Sequence, residues 1–407
     1  MMNRQTRIAR GAAALLLAGA SLLAGSAPAG AQSLLASRGL GYVNPPIDGR
    51  ARGLGGAALA LPGGGLSLIN PAAVAALPAP GITMAFQPDF YSSALPGQDT
   101  DGSTARFPLL NAVFPFGTRL TFSAGFGSYL DQTWAVENND TLRLPGREVE
   151  FVDRFASRGG VTRIRGGAAY SFTERFAVGL GADLYTGSVR DTLSRSFARG
   201  DTTGDGSDLV SASYSTEWSY RALGASLGMR WVPTDALSLA ASVTAAGTLE
   251  GRPTDDDDSV SVGRDYSLPL TFDVGASGRV TPGALVVLNA QWAGWSAAND
   301  DLARVGGARD SWMVAGGVEL GSSTPEERSF PLRVGARYAT LPFRWGPESA
   351  GAAFPSEKAL TAGLGARLAG GAAQVDLGGE RGWRGGGDSV LDESYWRMTL
   401  SLTLLGR

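Results

Sequence analysis

Near its C-terminus the chain alternates strictly: Trp396, Met398, Leu400, Leu402 and Leu404 are interleaved with Arg397, Thr399, Ser401 and Thr403. A period of two gives a β-strand one apolar and one polar face. The same split sets Phe176, Val178, Leu180, Ala182 and Leu184 against Ala177, Gly179, Gly181, Asp183 and Tyr185. It sets Leu237, Leu239, Ala241 and Val243 against Ser238, Ala240, Ser242 and Thr244, and Phe330, Leu332, Val334, Ala336 and Tyr338 against Pro331, Arg333, Gly335 and Arg337. A soluble sandwich alternates too, so the connections decide. Short turns near 115–118, 173–174, 233–235, 281–283, 322–329 and 369–371 take turns with longer polar connections near 91–105, 131–160, 190–208, 250–265, 296–309, 344–357 and 384–393. Bacterial outer-membrane barrels have this arrangement, with short periplasmic turns and long external loops.

Fourteen strands are expected, at about 81–90, 106–114, 119–130, 161–172, 175–189, 210–231, 236–248, 266–279, 284–295, 310–320, 330–341, 358–368, 372–382 and 394–404. The expected fold class is all-β, a transmembrane antiparallel β-barrel of about 14 strands with both ends on the periplasmic side. A count of sixteen needs another hairpin in the wall between Thr133 and Phe155, around Pro145-Gly146; that hairpin is read as standing beyond the membrane. The segment 210–231 exceeds a crossing of about ten residues and is expected to project outward. Tyr129, Trp134, Trp231, Trp292, Trp295, Trp312, Phe343, Trp345, Trp383 and Trp396 sit near strand ends, where aromatic girdles form, although some can be packing residues.

Ahead of the strands, Gly53 to Pro88 holds no charge over thirty-six positions, yet Pro62, Gly63, Gly64, Gly65, Asn70-Pro71, Pro78 and Pro80 interrupt it. Irregular backbone at membrane depth is tolerated only inside protein, so residues 32–80 are expected to form an N-terminal plug, or hatch, within a barrel of residues 81–407. A short helix is expected there, with Asn70 as N-cap, Pro71 in the first turn and Ala72 to Leu77 completing about two turns. Arg4, Arg7 and Arg10, a short apolar run and Ala29-Gly30-Ala31 mark residues 1–31 as a signal peptide. The chain lacks cysteine and histidine and carries a net charge of −3. That composition excludes Ser-His-Asp and Cys-His catalysis and most zinc sites, and it leaves no basic surface for nucleic acid. No cofactor and no enzymatic activity are expected.

The segment from Arg50 to Ala58, with Gly53, Gly55 and Gly56, followed by Ser67, Leu68, Ile69, Asn70, Pro71 and Ala72, resembles the plug signature of the long-chain fatty-acid outer-membrane transporter family, the FadL/TodX type. The resemblance implies a fourteen-stranded monomer with an N-terminal hatch. It also implies inward transport of hydrophobic compounds, often with sideways release through a defect in the wall. Two departures stand out: Pro62-Gly63-Gly64-Gly65 replaces the acidic residues usual there, and the chain ends Leu404-Leu405-Gly406-Arg407 instead of on an aromatic residue. A related PorV-like branch serves protein secretion, so resemblance alone does not fix the cargo.

The expected inward face carries Arg163, Arg165, Arg333, Arg337, Arg367 and Arg397 with Asp183, Asp273, Glu319, Asp376 and Glu380. These charges either brace the wall and hold the plug as ion pairs, or offer an arginine to a ligand carboxylate. Arg333 and Arg337 are the preferred ligand pair and Arg163 and Arg165 the second. Asp255 to Asp258 and Asp201, Asp205 and Asp208 belong to external loops and match no EF-hand spacing. The leading function is passive uptake of hydrophobic small molecules, such as fatty acids or aromatic hydrocarbons, by a monomer surrounded by membrane lipid and lipopolysaccharide. The alternative is a structural or secretion-associated barrel that binds a protein partner, which an apolar patch on the external loops would favour.

Overall fold

The computed structural model describes residues 33–63, 66–95, 98–144, 147–197, 210–254, 263–303, 306–321, 330–345, 354–385 and 392–406. The expected signal peptide and the acidic runs 201–208 and 255–258 lie outside them. The strands in chain order are β1 Tyr42–Val43, β2 Gly81–Leu95, β3 Gln98–Phe116, β4 Leu120–Asp131, β5 Trp134–Leu144, β6 Arg147–Thr173, β7 Phe176–Phe197, β8 Ala212–Thr234 and β9 Leu237–Ala246. They continue with β10 Thr248–Pro253, β11 Arg264–Ser267, β12 Thr271–Thr281, β13 Ala284–Ala293, β14 Ser311–Leu320, β15 Leu332–Thr340, β16 Ser356–Leu368, β17 Ala373–Gly385 and β18 Asp392–Leu405.

Fourteen of these strands, all but β1, β5, β10 and β11, form one antiparallel wall, and β18 pairs with β2 to close it into a barrel. β10 and β11 continue β9 and β12 beyond a break. β12 pairs with β9 as far as Thr271 opposite Thr244, and β10 pairs with β11 from Thr248 opposite Ser267. Across Ala245–Gly247 and Leu268–Leu270 the ladder is interrupted among the described residues; the Gly247 N–H donates to Leu223 instead, and the Leu270 carbonyl accepts from Gly294.

Each of the fourteen expected strands is present, but several run further than the sequence indicates. Tyr91 to Ala105, expected as a connection, is the paired end of β2 and β3, with Ser92 opposite Asp101. β6, β7 and β8 reach 27, 22 and 23 residues, well past a crossing of about ten. Polar residues mark where a strand leaves lipid, but they do not end its hydrogen bonding, which continues in water as long as a neighbour pairs. β5 folds back on β6 with Trp134 opposite Ser157, as a hairpin outside the fourteen-strand wall.

The alternation becomes an inverted surface: Trp396 is 52% exposed while Arg397 beside it is fully buried. Trp231, Trp312 and Trp383 face outward as expected of a girdle, whereas Trp295, Phe343 and Trp345 are buried packing residues.

The described residues of 33–80 contain one α-helix, α1 (Gly49–Gly53), which the sequence reading missed. Asp48 caps it by accepting from the Ala51 N–H at 2.8 Å, a shorter signal than apolar periodicity provides. The two-turn helix expected after Pro71 is a single 3-10 turn, Ala73–Ala76. Asn70 accepts from the Ala72 N–H at 2.9 Å, a local side-chain turn that competes with a longer helix.

Candidate functional site

Inward-facing glycines are where the wall meets the N-terminal segment. A Cβ on Gly335 would lie 2.5 Å from the Gly55 nitrogen, one on Gly378 2.5 Å from the Gly49 carbonyl, and one on Gly363 3.1 Å from the Gly53 Cα. At Gly179 and Gly228 it would strike Pro71 and Asn70 at 2.4 and 2.0 Å. Gly55 itself has φ +75° and packs against the Ala336 carbonyl, so it is glycine for two reasons. Gly56 has φ +93°, and Ala72 is fully buried. The expected plug residues Gly53, Gly55, Asn70, Pro71 and Ala72 therefore lie in tightly packed surroundings, while Gly56 borders a cavity.

Charge fixes the same segment. Arg50 of α1 makes a bidentate pair with Glu319 of β14 at 2.8 and 2.9 Å. Arg52 reaches Glu380 of β17 and Gln87 of β2, both at 3.0 Å. The Gly49 and Gly55 N–H groups donate to Ser401 and Thr361. A guanidinium suits this role because its fixed fork matches a carboxylate and stays charged when buried.

The wall charges around α1 are paired with one another. Arg333 pairs with Glu319 and Asp376, each at 2.7 Å. Arg337 donates to Glu357 at 2.7 Å and to Glu380 at 2.5 Å, and Glu380 also accepts from Tyr395. Arg384 joins Glu357 to Glu393 at 2.6 and 2.7 Å, Arg397 meets Asp89 at 2.9 Å, and Arg106 bridges Asp89 and Asp131. On the opposite side Arg165 holds Asp183 in a fork at 2.7 and 2.8 Å and donates to the Leu68 carbonyl, to which Arg163 also donates at 2.8 Å. All four sequence-expected ligand arginines are thus engaged with protein groups. Sequence reasoning missed Arg50, Arg52, Arg106, Arg384, Asp89, Glu357 and Glu393 of this network, because they lie outside the strands with the cleanest alternation or in the segment read as irregular.

Beside the network lies a cavity of about 150 Å³. Tyr42, Pro45, Pro46 and Ile69 face it from the N-terminal segment, and Tyr129, Tyr185 and Trp295 from the barrel. Tyr185 and Trp295 also belong to an apolar cluster with Leu40, Leu302 and Phe343. The polar edge of the cavity comes from strand register: Asp273 of β12 stands opposite Gln291 of β13, with the apolar Met313 of β14 next in the row and Ser242 of β9 on the other side of Asp273, outside the cavity lining. Asn289 stands one inward position along β13. Of the four expected ligand arginines, Arg163 and Arg337 border the cavity and Arg333 and Arg165 do not. Thr244, Pro269 and Thr271, at the interrupted ladder, border it as well.

The family model described as BamG matches residues 12–249. Among solved structures the chain is similar to the CymD monoaromatic hydrocarbon channel, with 17% identity, 89% of this chain and 98% of that one covered, and a TM-score of 0.55. It is similar to a Pseudomonas aeruginosa FadL homologue at 14% identity, with 89% and 99% covered and a TM-score of 0.57. It is also similar to the Pseudomonas putida toluene transporter TodX at 14% identity, with 89% and 98% covered and a TM-score of 0.54. These likenesses show the FadL-type barrel fold. No curated protein matches the chain.

Proposed function

We propose that the chain, which belongs to the BamG family, is a bacterial outer-membrane channel for passive uptake of small hydrophobic molecules, with residues 32–80 as the plug of its lumen. One observation carries this reading: a cavity of about 150 Å³ framed by aromatic side chains of both the N-terminal segment and the wall. An engineered apolar cavity of about 150 Å³ takes up benzene, so the volume suits a single aromatic ring and falls far short of a long acyl chain. The cargo proposed is accordingly a single-ring compound, and the fatty acid expected from Arg333 and Arg337 is the weaker choice. The titles of similar channels, which name monoaromatic hydrocarbons and toluene, support the same class. In this reading the apolar outer belt faces membrane lipid and lipopolysaccharide. The test is calorimetric binding of ethylbenzene and of a long-chain fatty acid to the purified barrel in detergent; ethylbenzene should bind and the fatty acid should not. The reverse order would sink the single-ring cargo.

A second reading, a secretion-associated barrel that docks a protein, draws on one feature. Val136, Phe155, Leu193 and Tyr214 form a row across β5, β6, β7 and β8, with Phe155 and Leu193 each 43% exposed. Apolar side chains grouped on a projecting sheet are the kind of surface that partners cover. Cross-linking in cells that captures no second polypeptide would remove this reading.

A further inference from the structure

We propose that the cavity selects single-ring compounds bearing a hydrogen-bond-donating head, a hydroxyl or a protonated amine, and that Asp273 receives that head. This inference rests on the reading of the cavity as a ring site. Eight carboxylates are buried among the described residues: Asp89, Asp183, Asp273, Glu319, Glu357, Asp376, Glu380 and Glu393. Seven of them meet an arginine. Asp273, only 5% exposed, forms no ion pair among the described residues; its one hydrogen bond there comes from Gln291 Nε2 to Oδ1 at 2.9 Å. A carboxylate has about four acceptor positions, so most of its capacity faces the cavity unused.

The neighbouring groups add to the demand for a donor. Asn289 Oδ1, also on the cavity wall, is buried with no hydrogen-bond partner. The Ser242 hydroxyl in the same row is turned to the Ile69 carbonyl. Of the two cations that border the cavity, Arg163 donates to the Leu68 carbonyl and lies 4.0 Å from Asp183, with its Nε buried and without a hydrogen-bond partner, and Arg337 is held by Glu357 and Glu380. The row of Asp273, Asn289 and Gln291 therefore offers a ligand acceptors beside apolar walls, with Arg163 as the one cation near it whose guanidinium keeps an unpartnered N–H among the described residues. A ligand carboxylate would bring a second negative charge next to Asp273, whereas a hydroxyl or ammonium would supply the missing donor.

Calorimetry on the full chain in detergent at neutral pH tests this with four single-ring probes: ethylbenzene, para-ethylphenol, phenethylamine and hydrocinnamate. The phenol or the amine should bind about tenfold or more tightly than ethylbenzene, as a hydrogen bond to a charged group implies, and hydrocinnamate should bind weakest. An advantage for only one of the two donor heads assigns the site to that head. In Asp273→Asn the ratio of donor-ligand to ethylbenzene affinity should fall by most of that factor. Equal affinities in the wild type, or an unchanged ratio in the variant, overturn the donor site while leaving the ring site standing. Binding of none of the probes overturns both. If Asp273→Asn does not fold, judged by loss of the mobility difference between unheated and boiled samples, the wild-type order decides alone.

Discussion

Around α1 and across β9, β12 and β13 the barrel treats buried charge in opposite ways. Beside α1, Glu319, Glu357 and Glu380 each accept from two or more arginines, and wall glycines let backbone press on backbone. Across β9, β12 and β13 a carboxylate and an amide oxygen are left without arginine partners beside an aromatic-framed cavity. Saturated ionic contacts resist rearrangement because parting one pair leaves an uncompensated charge. Unsaturated acceptors next to empty volume gain from an incoming group. The first region has the chemistry of an anchor and the second the chemistry of a receiver.

The largest effect expected from this contrast is removal of the anchored segment. Deleting Ser33 to Leu77 should leave a barrel that inserts but conducts ions far more strongly in planar bilayers. Unchanged conductance would mean that the segment does not occupy the lumen.

Next comes Glu380→Ala, which leaves Arg52 without a carboxylate and takes one of two from Arg337 and from Arg397. Loss of one partner of a buried pair costs about 3–5 kcal/mol, so melting in detergent should fall by many degrees. Asp235→Ala, at the exposed pair with Arg175, should leave melting where it was, since surface pairs contribute little. Equal melting of the two variants would break the anchor description.

The smallest effect separates the expected ligand arginines. Arg333→Ala should lower stability less than Glu380→Ala, because Arg50 still neutralises Glu319 and only Asp376 loses its arginine, and ethylbenzene affinity should not change. Arg337→Ala, at the cavity, should alter both. Weaker ligand binding by Arg333→Ala at unchanged melting would restore Arg333 to a ligand role.

Much of the architecture was legible because alternation and turn length are local properties. Arg397 between Trp396 and Met398 announces its inward face whatever lies around it, and fourteen such segments joined by alternating short and long connections specify an up-and-down barrel. The hairpin of β5 on β6 could be placed outside the wall for the same reason. The extended ends of β2, β3 and β7 could not, since pairing in water leaves no hydrophobic mark.

The partners of the inward charges were not legible. Glu357 and Glu393 stand near strand ends, and Arg50 and Arg52 lie in a stretch whose only helix signal is Asp48, so nothing local ties them together. Gly228 and Gly335 read as ordinary strand glycines until Asn70 and Gly55 are seen against them. Asp273 looks in sequence like Asp183 or Asp376, an acid on an inward face. Strand register puts Arg165 of β6 opposite Asp183 and Arg333 of β15 within reach of Asp376, whereas the residues opposite Asp273 on β9 and β13 are Ser242 and Gln291. Periodicity sets which way a side chain points; position around the closed barrel sets what it meets.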